Sequence, residues 1–387
     1  MKIISVEAIA YRLPVRREFL WAGLNAGIGR FVLVRIRTEE GLEGLGEAVP
    51  LAEWGGDHNR RGGETQHTVV HVVEDLLSAH LIGEDPLEIE RLMATMDLHV
   101  RGHSYAKGAI DMALHDLLGK VAEMPLYRLL GGAFRESVQV AHMVGLMPAS
   151  DAIDEGLAAA RDGVTALQVK GGVDPDRDLD VIGELRRQLG PSFWLRLDAN
   201  QGYGDVANAV KLLRRLEEHG LDYVEQPVAG LRQMAQVRAR IATPVIADET
   251  CWDAADLLEC VAVEAIDAAS IYLAKAGGIS GARKVAAVAE AAVVPCDVNG
   301  SLESGIGNAA NVHFALATRS VQLPCVIPFT APAGLAPYGV AGHYYEDDVV
   351  ADAFSVADGH ILPLDGPGLG VTLDEDKLER FRDDRDR

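Results

Sequence analysis

From residue 137 onward, short β-branched or apolar runs alternate with amphipathic helical stretches, and this alternation restricts the possible folds more than any other feature of the chain. The runs are SVQVAHMV, TALQVK, FWLRLDAN, LDYVEQP, TPVIADE, DAASIYLAK, VVPCDVN and VQLPCVIP. Their starts fall roughly 22 to 29 residues apart, the length of one strand-plus-helix unit. Stretches such as DRDLDVIGELRRQLG and GARKVAAVAEAAV fill the intervals with helical periodicity. Eight consecutive units with right-handed crossovers close into a barrel. An open doubly wound sheet needs no particular strand count and usually carries a glycine fingerprint after its first strand. The expected fold class is therefore α/β, a (β/α)8-type, TIM-like barrel over residues 133–345.

Ahead of the barrel, Lys2 to Leu13 alternates in strand fashion, and RFVLVRIRTEEGLEGLGEAV continues the pattern around a turn at Glu39, Glu40 and Gly41. From about Gly63 to Leu130 the period becomes helical and ends near Gly131 and Gly132. Residues 1–132 are thus expected to form an α+β capping domain. The tail GHILPLDGPGLGVTLDEDKLERF returns to strand-and-turn composition. Residues 346–387 are expected to pack back on the cap and complete it, with the final RDDRDR frayed.

Composition narrows the partners. With 48% hydrophobic residues the chain can fill a core. No apolar run approaches the ~20 residues that cross a bilayer, and the N-terminus lacks a signal-type apolar block, so a soluble, cytoplasmic protein with no membrane partner is expected. Lys and Arg number 36 against 58 Asp and Glu, a formal net charge of −22 that repels a phosphate backbone and argues against nucleic acid. Cys251, Cys260, Cys296 and Cys325 show no close CxxC spacing and read as reduced core thiols.

In such a barrel, chemistry gathers where strands end. The third, fourth and fifth runs end at Asp198, Glu225 and Asp248, and strands lie about 4.8 Å apart, so three carboxylates come within reach of one hard cation. Oxygen-only ligation favours Mg2+, with Mn2+ possible, over zinc. A lone acid at a strand end also serves as a helix N-cap, but three in successive units fit a ligand set better. Asn200 and Glu249 lie just beyond two of these acids and are candidates to support them. Lys170 ends the second run and Lys275 ends or follows the sixth, facing each other across the mouth. A metal-bound carboxylate has a more acidic α-proton, because the enediolate left behind is held by the cation. One lysine then removes the proton and the other returns it, provided burial and metal lower the ammonium pKa. The competing reading of each lysine is a surface charge or an ion pair with these same acids.

These residues stand in LQVKGG, RLDANQGY, VEQPV, IADET, IYLAKAGGIS and, near Glu303, SLESGIGNAANVH. Taken together, they make the chain resemble the enolase superfamily, in particular the muconate-lactonizing-enzyme (muconate cycloisomerase) subgroup of the mandelate racemase/muconate lactonizing enzyme family, over nearly its whole length. The resemblance implies Mg2+-dependent α-proton abstraction from a carboxylate, with Lys170 and Lys275 as acid/base residues. The mandelate-racemase and acid-sugar dehydratase branches usually carry a His–Asp pair on later strands, where this chain has Lys275. In two places the chain departs from the subgroup. The subgroup commonly shows Lys-x-Lys on the second strand, and the first position here is Gln168, so a neighbouring cation that would depress the Lys170 pKa is missing. Family dipeptide epimerases place acids on the eighth strand to hold the substrate ammonium, and this chain reads LPCVIPF.

Racemisation or epimerisation of an amino-acid-type carboxylate is the expected reaction. Glu303 and Phe329 would hold a substituted amine by charge and cation–π contact, which suits a proline-like or N-substituted substrate. Asn299 joins Gln168 as a candidate contact to substrate or ligand side chains. Dehydration of a hydroxylated analogue such as a hydroxyproline, muconate-type cycloisomerisation, and non-catalytic Mg2+-dependent binding of an acidic metabolite remain alternatives. Two glycine-rich segments, WAGLNAGIGR and EWGGDHNRRGG, look like lids, with Trp21, Trp54, Asp57 and His58 positioned to line the pocket. A homo-oligomer is expected from the resemblance. GLEGLGE opens no helix and is not a phosphate loop, His67 and His71 lack the Glu of a zinc protease motif, and no Ser/His/Asp hydrolase order stands out.

Overall fold

The computed structural model describes residues 1–24 and 27–383. Asn25 and Ala26 of the first expected lid, and residues 384–387 of the terminus expected to fray, lie outside the described residues.

The chain opens with an antiparallel sheet of β1 (Ile3–Arg12), β2 (Arg30–Thr38) and β3 (Glu43–Ala48), in the order β1-β2-β3. The helix Ser104–Val121 lies across β3 at very short range. Glycine makes that approach possible: a methyl group at Gly44 would run into the carbonyl of Ala113, and one at Gly46 into that of Ala109. The glycine pattern of GLEGLGE is therefore a seat for a helix. The same helix reaches the helix Ile279–Ala292, where Asp111 accepts bonds from Ser280 N (3.2 Å) and Ser280 Oγ (2.5 Å).

β4 (Val138–Gln139) and β5 (His142–Val144) come next, followed by β6 (Ala166–Lys170), β7 (Trp194–Asp198), β8 (Tyr223–Glu225), β9 (Val245–Ala247), β10 (Ala268–Ile271) and β11 (Cys296–Val298). β5 to β11 form one parallel sheet in strict sequence order, with helices between successive strands. Seven of the eight expected strands are thus present in the expected order.

The first and last expected strands need correction. SVQVAHMV divides: β4 pairs antiparallel with β13 (His360–Ile361), itself paired with β12 (Val356–Ala357), and only β5 joins the parallel sheet. VQLPCVIP forms no strand. It makes single parallel bridges to both edges of the sheet, Val321 to Cys296 and Cys325 to Val140. Cys325 N donates to Gln139 O (2.8 Å), Ala141 N to Cys325 O (2.8 Å) and Val326 N to Val298 O (3.0 Å). Pro324 and Pro328 have no N–H to extend either ladder, and Val298 N donates to the Cys325 thiol (3.3 Å) instead.

The C-terminal segment returns to the first sheet, where Arg382 bridges Tyr11 and Arg35 forks onto Glu375 at 2.8 and 2.9 Å. One buried apolar cluster packs the parallel sheet and its helices and reaches residues of the first sheet such as Tyr11, Phe31 and Leu33. A second lies between the first sheet and its helices and extends to Trp21, Trp54, Trp252 and Tyr272. All four cysteines are buried and unpaired. Among the described residues no helix is long and apolar enough to cross a membrane.

Candidate active site

Parallel register sets the geometry of the rim. Lys170 pairs with Asp198 across β6 and β7, and Asp198 with Glu225 across β7 and β8. Asp248 directly follows β9, so acids from three adjacent strands and a lysine from a fourth end at one level. Inward-facing residues repeat every second position, so Gln168 stands below Lys170 and Arg196 below Asp198.

These side chains are buried and bound to one another. The Lys170 ammonium donates to Asp198 Oδ2 and, at 3.2 Å, to Asn200 Oδ1. Lys275 Nζ donates to Asp248 Oδ1 (2.6 Å), Asp248 O (2.9 Å) and Ser270 O (3.0 Å). The Gln168 amide donates at 2.9 Å to both Asp198 Oδ2 and Glu225 Oε2, so the residue in place of a lysine acts as a strut between two acids. Asn299 holds Glu225 Oε1 (3.2 Å), and Asn200 holds Glu249 Oε1 (3.1 Å). Asn200, Gln201 and Gln226 carry the chain away from the acids at positive φ of 41°, 67° and 39°, strained backbone for non-glycine residues and a mark of a site held in place by its surroundings.

With the lysines paired to the acids, their ammonium groups are held in the charged form. Burial lowers the pKa of each, but Asp198 and Glu225 outweigh burial at Lys170, and Asp248 does so at Lys275, so both are raised. The acids show the complementary effect. Burial first, and then repulsion from neighbouring acids, raises the carboxyls of Glu225 and Asp248 despite Arg196 and Lys275.

As the side chains stand, no three His, Cys, Asp or Glu residues among the described ones form a ready metal cage. The two ammonium groups and the Gln168 amide occupy the carboxylate oxygens that would face an ion. The donor chemistry nonetheless fits a hard dication. Asp198, Glu225 and Asp248 are oxygen donors that repel one another in a buried space, and Asp248 Oδ2 is buried without a hydrogen-bond partner. Gln168 Oε1 and Glu249 Oε2 are also buried without a hydrogen-bond partner.

Aromatic rings wall the mouth. Trp54 stacks between Trp252 (5.0 Å) and Tyr272 (5.5 Å). Lys275 Nζ lies 4.3 Å from the Tyr272 ring and 5.9 Å from that of Trp54, while Lys170 Nζ lies 5.3 Å from that of Trp21. Trp21, Glu53, Trp54, His58, Asn200 and Glu249 are among the residues lining a cavity of about 470 Å3. Asp57 faces away from this space: its carboxylate accepts from Gly230 N (2.5 Å) and its N–H donates to Glu249 O (2.9 Å), which ties the second loop to the rim.

Glu303 and Phe329 are placed differently from the expected amine clamp. Phe329 packs on Tyr338 with ring centroids 5.6 Å apart and is only 2% exposed, so its ring has no free face for a ligand. Glu303 is buried beside Ser301 N (3.2 Å), with Oε2 unpartnered and its carboxyl pushed up to about 7 by burial.

The sequence reading missed two further residues. Arg196 is fully buried and pairs with Glu225 (3.2 Å) and Asp297 (2.5 Å); the two-residue alternation of RLD places it inward, below Asp198. Tyr105 comes from the cap helix, its buried hydroxyl beside Ser301 and within the fields of Glu64, Glu303 and Asp248. No local pattern in HSYAKGA marks it.

Residues 9–131 match the family described as mandelate racemase / muconate lactonizing enzyme, N-terminal domain, and residues 152–377 match the enolase C-terminal domain-like family. The N-succinyl-L-Arg/Lys racemase of Bacillus cereus is 30% identical over 386 residues, covering 98% of both chains. Its crystal structure superposes with a TM-score of 0.89, covering 99% of this chain and 98% of that one at 28% identity. Muconate cycloisomerase 1 of Rhodococcus opacus is 31% identical over 386 residues, again covering 98% of both chains. The dipeptide epimerase of Cytophaga hutchinsonii, solved with Mg and the dipeptide D-Ala-L-Val, superposes with a TM-score of 0.88 at 28% identity, covering 99% of both chains.

Proposed function

Since the chain belongs to the mandelate racemase / muconate lactonizing enzyme family of the enolase superfamily, we propose that it is an isomerase that removes the proton α to a substrate carboxylate and returns one, racemising or epimerising an amino-acid-type substrate. The observation that carries this reading is the pair of buried lysines on β6 and just beyond β10, with the three carboxylates of the intervening strands between them.

Asp198, Glu225 and Asp248 would hold Mg2+ or Mn2+, which when bound supplies positive charge opposite the negative charge that proton loss puts on the substrate carboxylate. The remaining steps belong to the protein. Lys170 or Lys275, once freed from its acid, accepts the α-proton at Nζ. The other, kept as an ammonium by its carboxylate, donates a proton to the opposite face of the same carbon. Gln168, Asn299 and Arg196 keep Glu225 aimed at the mouth, and Asn200 and Glu249 brace Asp198. Trp21, Trp54 and the two cap loops exclude water.

Residues 321–328 serve in this reading as the eighth stave that closes the ring, between a cap of residues 1–132 and a returning segment of 346–387. Four unpaired thiols suit a reducing cytoplasm, and a homo-oligomer is part of the same reading. Cycloisomerisation is the second reading, favoured by the similarity to the Rhodococcus enzyme.

Deuterium uptake at the substrate α-carbon in D2O, across a library of N-acylated amino acids, tests the proposal. Uptake should be lost in Lys170→Ala and, separately, in Lys275→Ala. Full uptake in both variants refutes the assignment.

A further inference from the structure

We propose that a cavity at the N-terminal end of the parallel sheet, the end opposite the paired lysines, is a binding site for a small organic monocarboxylate whose charge is received by Arg135. The cavity holds about 370 Å3, at the lower end of the range for small-molecule sites. It lies between the residues that lead into β4 and the run that begins at Val321, which bridges Cys296 at the start of β11. Lys170, Asp198 and Glu225 end their strands at the other edge.

Arg135 has a donor to spare. Its Nη2 donates to Thr318 O (2.8 Å) and to Val321 O, while Nη1 is buried without a hydrogen-bond partner. Burial lowers the pKa of this guanidinium, and the neighbour that raises it is the Cys325 thiol, itself pushed up to about 12 by burial and Asp297 and so uncharged. A guanidinium that has exchanged water for two carbonyls, with no anion beside it, bears a desolvation cost that a bound carboxylate would offset.

The rest of the lining selects the anion. Arg135 is its one arginine or lysine among the described residues, and Glu136 stands exposed beside it. One negative charge is therefore the most this cavity can balance, and a phosphate dianion would bring a second. Val138, Val321 and Leu323 offer an apolar wall to a short hydrocarbon body, and Ser137 and Gln322 add a hydroxyl and an amide.

NMR line-broadening titrations of the full-length protein in Mg2+ buffer, with isobutyrate, its uncharged isostere isobutyramide and inorganic phosphate as probes, test the inference. The parent should bind isobutyrate with a Kd of about 1 mM and the other two at least tenfold more weakly. Arg135→Met should weaken isobutyrate at least tenfold, as expected for loss of a charge-assisted hydrogen bond. Gln322→Glu, at an exposed position, adds an acid to the lining and should weaken isobutyrate about threefold or more without changing isobutyramide. Asp198→Asn, at the other end of the sheet, should bind isobutyrate as the parent does. Four results overturn the inference: no saturable isobutyrate binding by the parent, isobutyramide or phosphate bound as tightly, binding that disappears in Asp198→Asn, or binding undiminished in Arg135→Met. If circular dichroism shows Arg135→Met unfolded, undiminished binding in Gln322→Glu takes the place of that last result.

Discussion

Arg196 offers the sharpest test of how the site is supported. Its guanidinium sits beneath the rim of the parallel sheet with no exposed surface, ion-paired with Glu225 at 3.2 Å and hydrogen-bonded to Asp297 at 2.5 Å, both equally buried. Arg196→Met keeps much of the apolar volume and removes the charge, leaving two carboxylates to face each other without a counter-ion. Breaking a buried ion pair from one side costs about 3 to 5 kcal/mol, most of it the burden of the stranded charge. Gln168 and Asn299 still hold Glu225, so the stranding falls mainly on Asp297, and the lower part of that range is expected. With a urea dependence of roughly 3 kcal/mol per M, the unfolding midpoint should drop by about 1 M. Arg196→Met/Asp297→Asn removes the stranded acid and should recover more than half of the loss. The two single variants and the double variant form a cycle with a coupling energy on the order of 2 kcal/mol. Urea unfolding followed by tryptophan fluorescence and far-UV circular dichroism gives all four values. A loss below about 1 kcal/mol in Arg196→Met, or a double variant no more stable than it, would refute the account of Arg196 as the counter-ion of this layer.

Two other expectations concern metal and pH. Asp198→Asn should weaken Mn2+ binding, read by the amplitude of the free-ion paramagnetic resonance signal, by an order of magnitude or more; an unaltered titration would remove Asp198 from the ligand set. At Glu155, burial raises the carboxyl, but hydrogen bonds from His142 and Arg17 outweigh it and hold the group at about 2, below the ordinary 4.5. A depressed carboxyl stabilises the fold fully above its unfolded value and loses that contribution as pH falls through the folded one, so the window runs from pH 4.5 down to 2. Across that window Glu155→Gln should lose stability less steeply than the parent in urea titrations, and parallel profiles would argue against the hold of His142 and Arg17 on Glu155.

Much of this site can be read from the sequence because a parallel sheet in sequence order turns strand order into spatial order. Once FWLRLDAN, LDYVEQP and TPVIADE are taken as neighbours, Asp198, Glu225 and Asp248 have to meet, and the observed register brings Lys170 in beside them. What a linear pattern cannot convey is which oxygen each donor takes. The lysines sit on Asp198 and Asp248, whose charges raise the ammonium pKa values in this arrangement. Gln168 looked like a missing charge and is instead a double donor. The eighth run has strand composition, but Pro324 and Pro328 deny it a ladder. Tyr105 arrives on a helix from another part of the chain, and no periodicity connects it to the rim. Phe329 matched an amine clamp by residue type alone, and its packing on Tyr338 was settled by three-dimensional neighbours.

The helix seated in the glycine groove of β3 also holds Ser280 at the far side through Asp111, so it works as an axle between two bodies. With such an axle, cap and barrel have little freedom to rock against each other. Adaptation to a new ligand would therefore fall to the short stretches that carry Trp21 and Trp54 over the mouth.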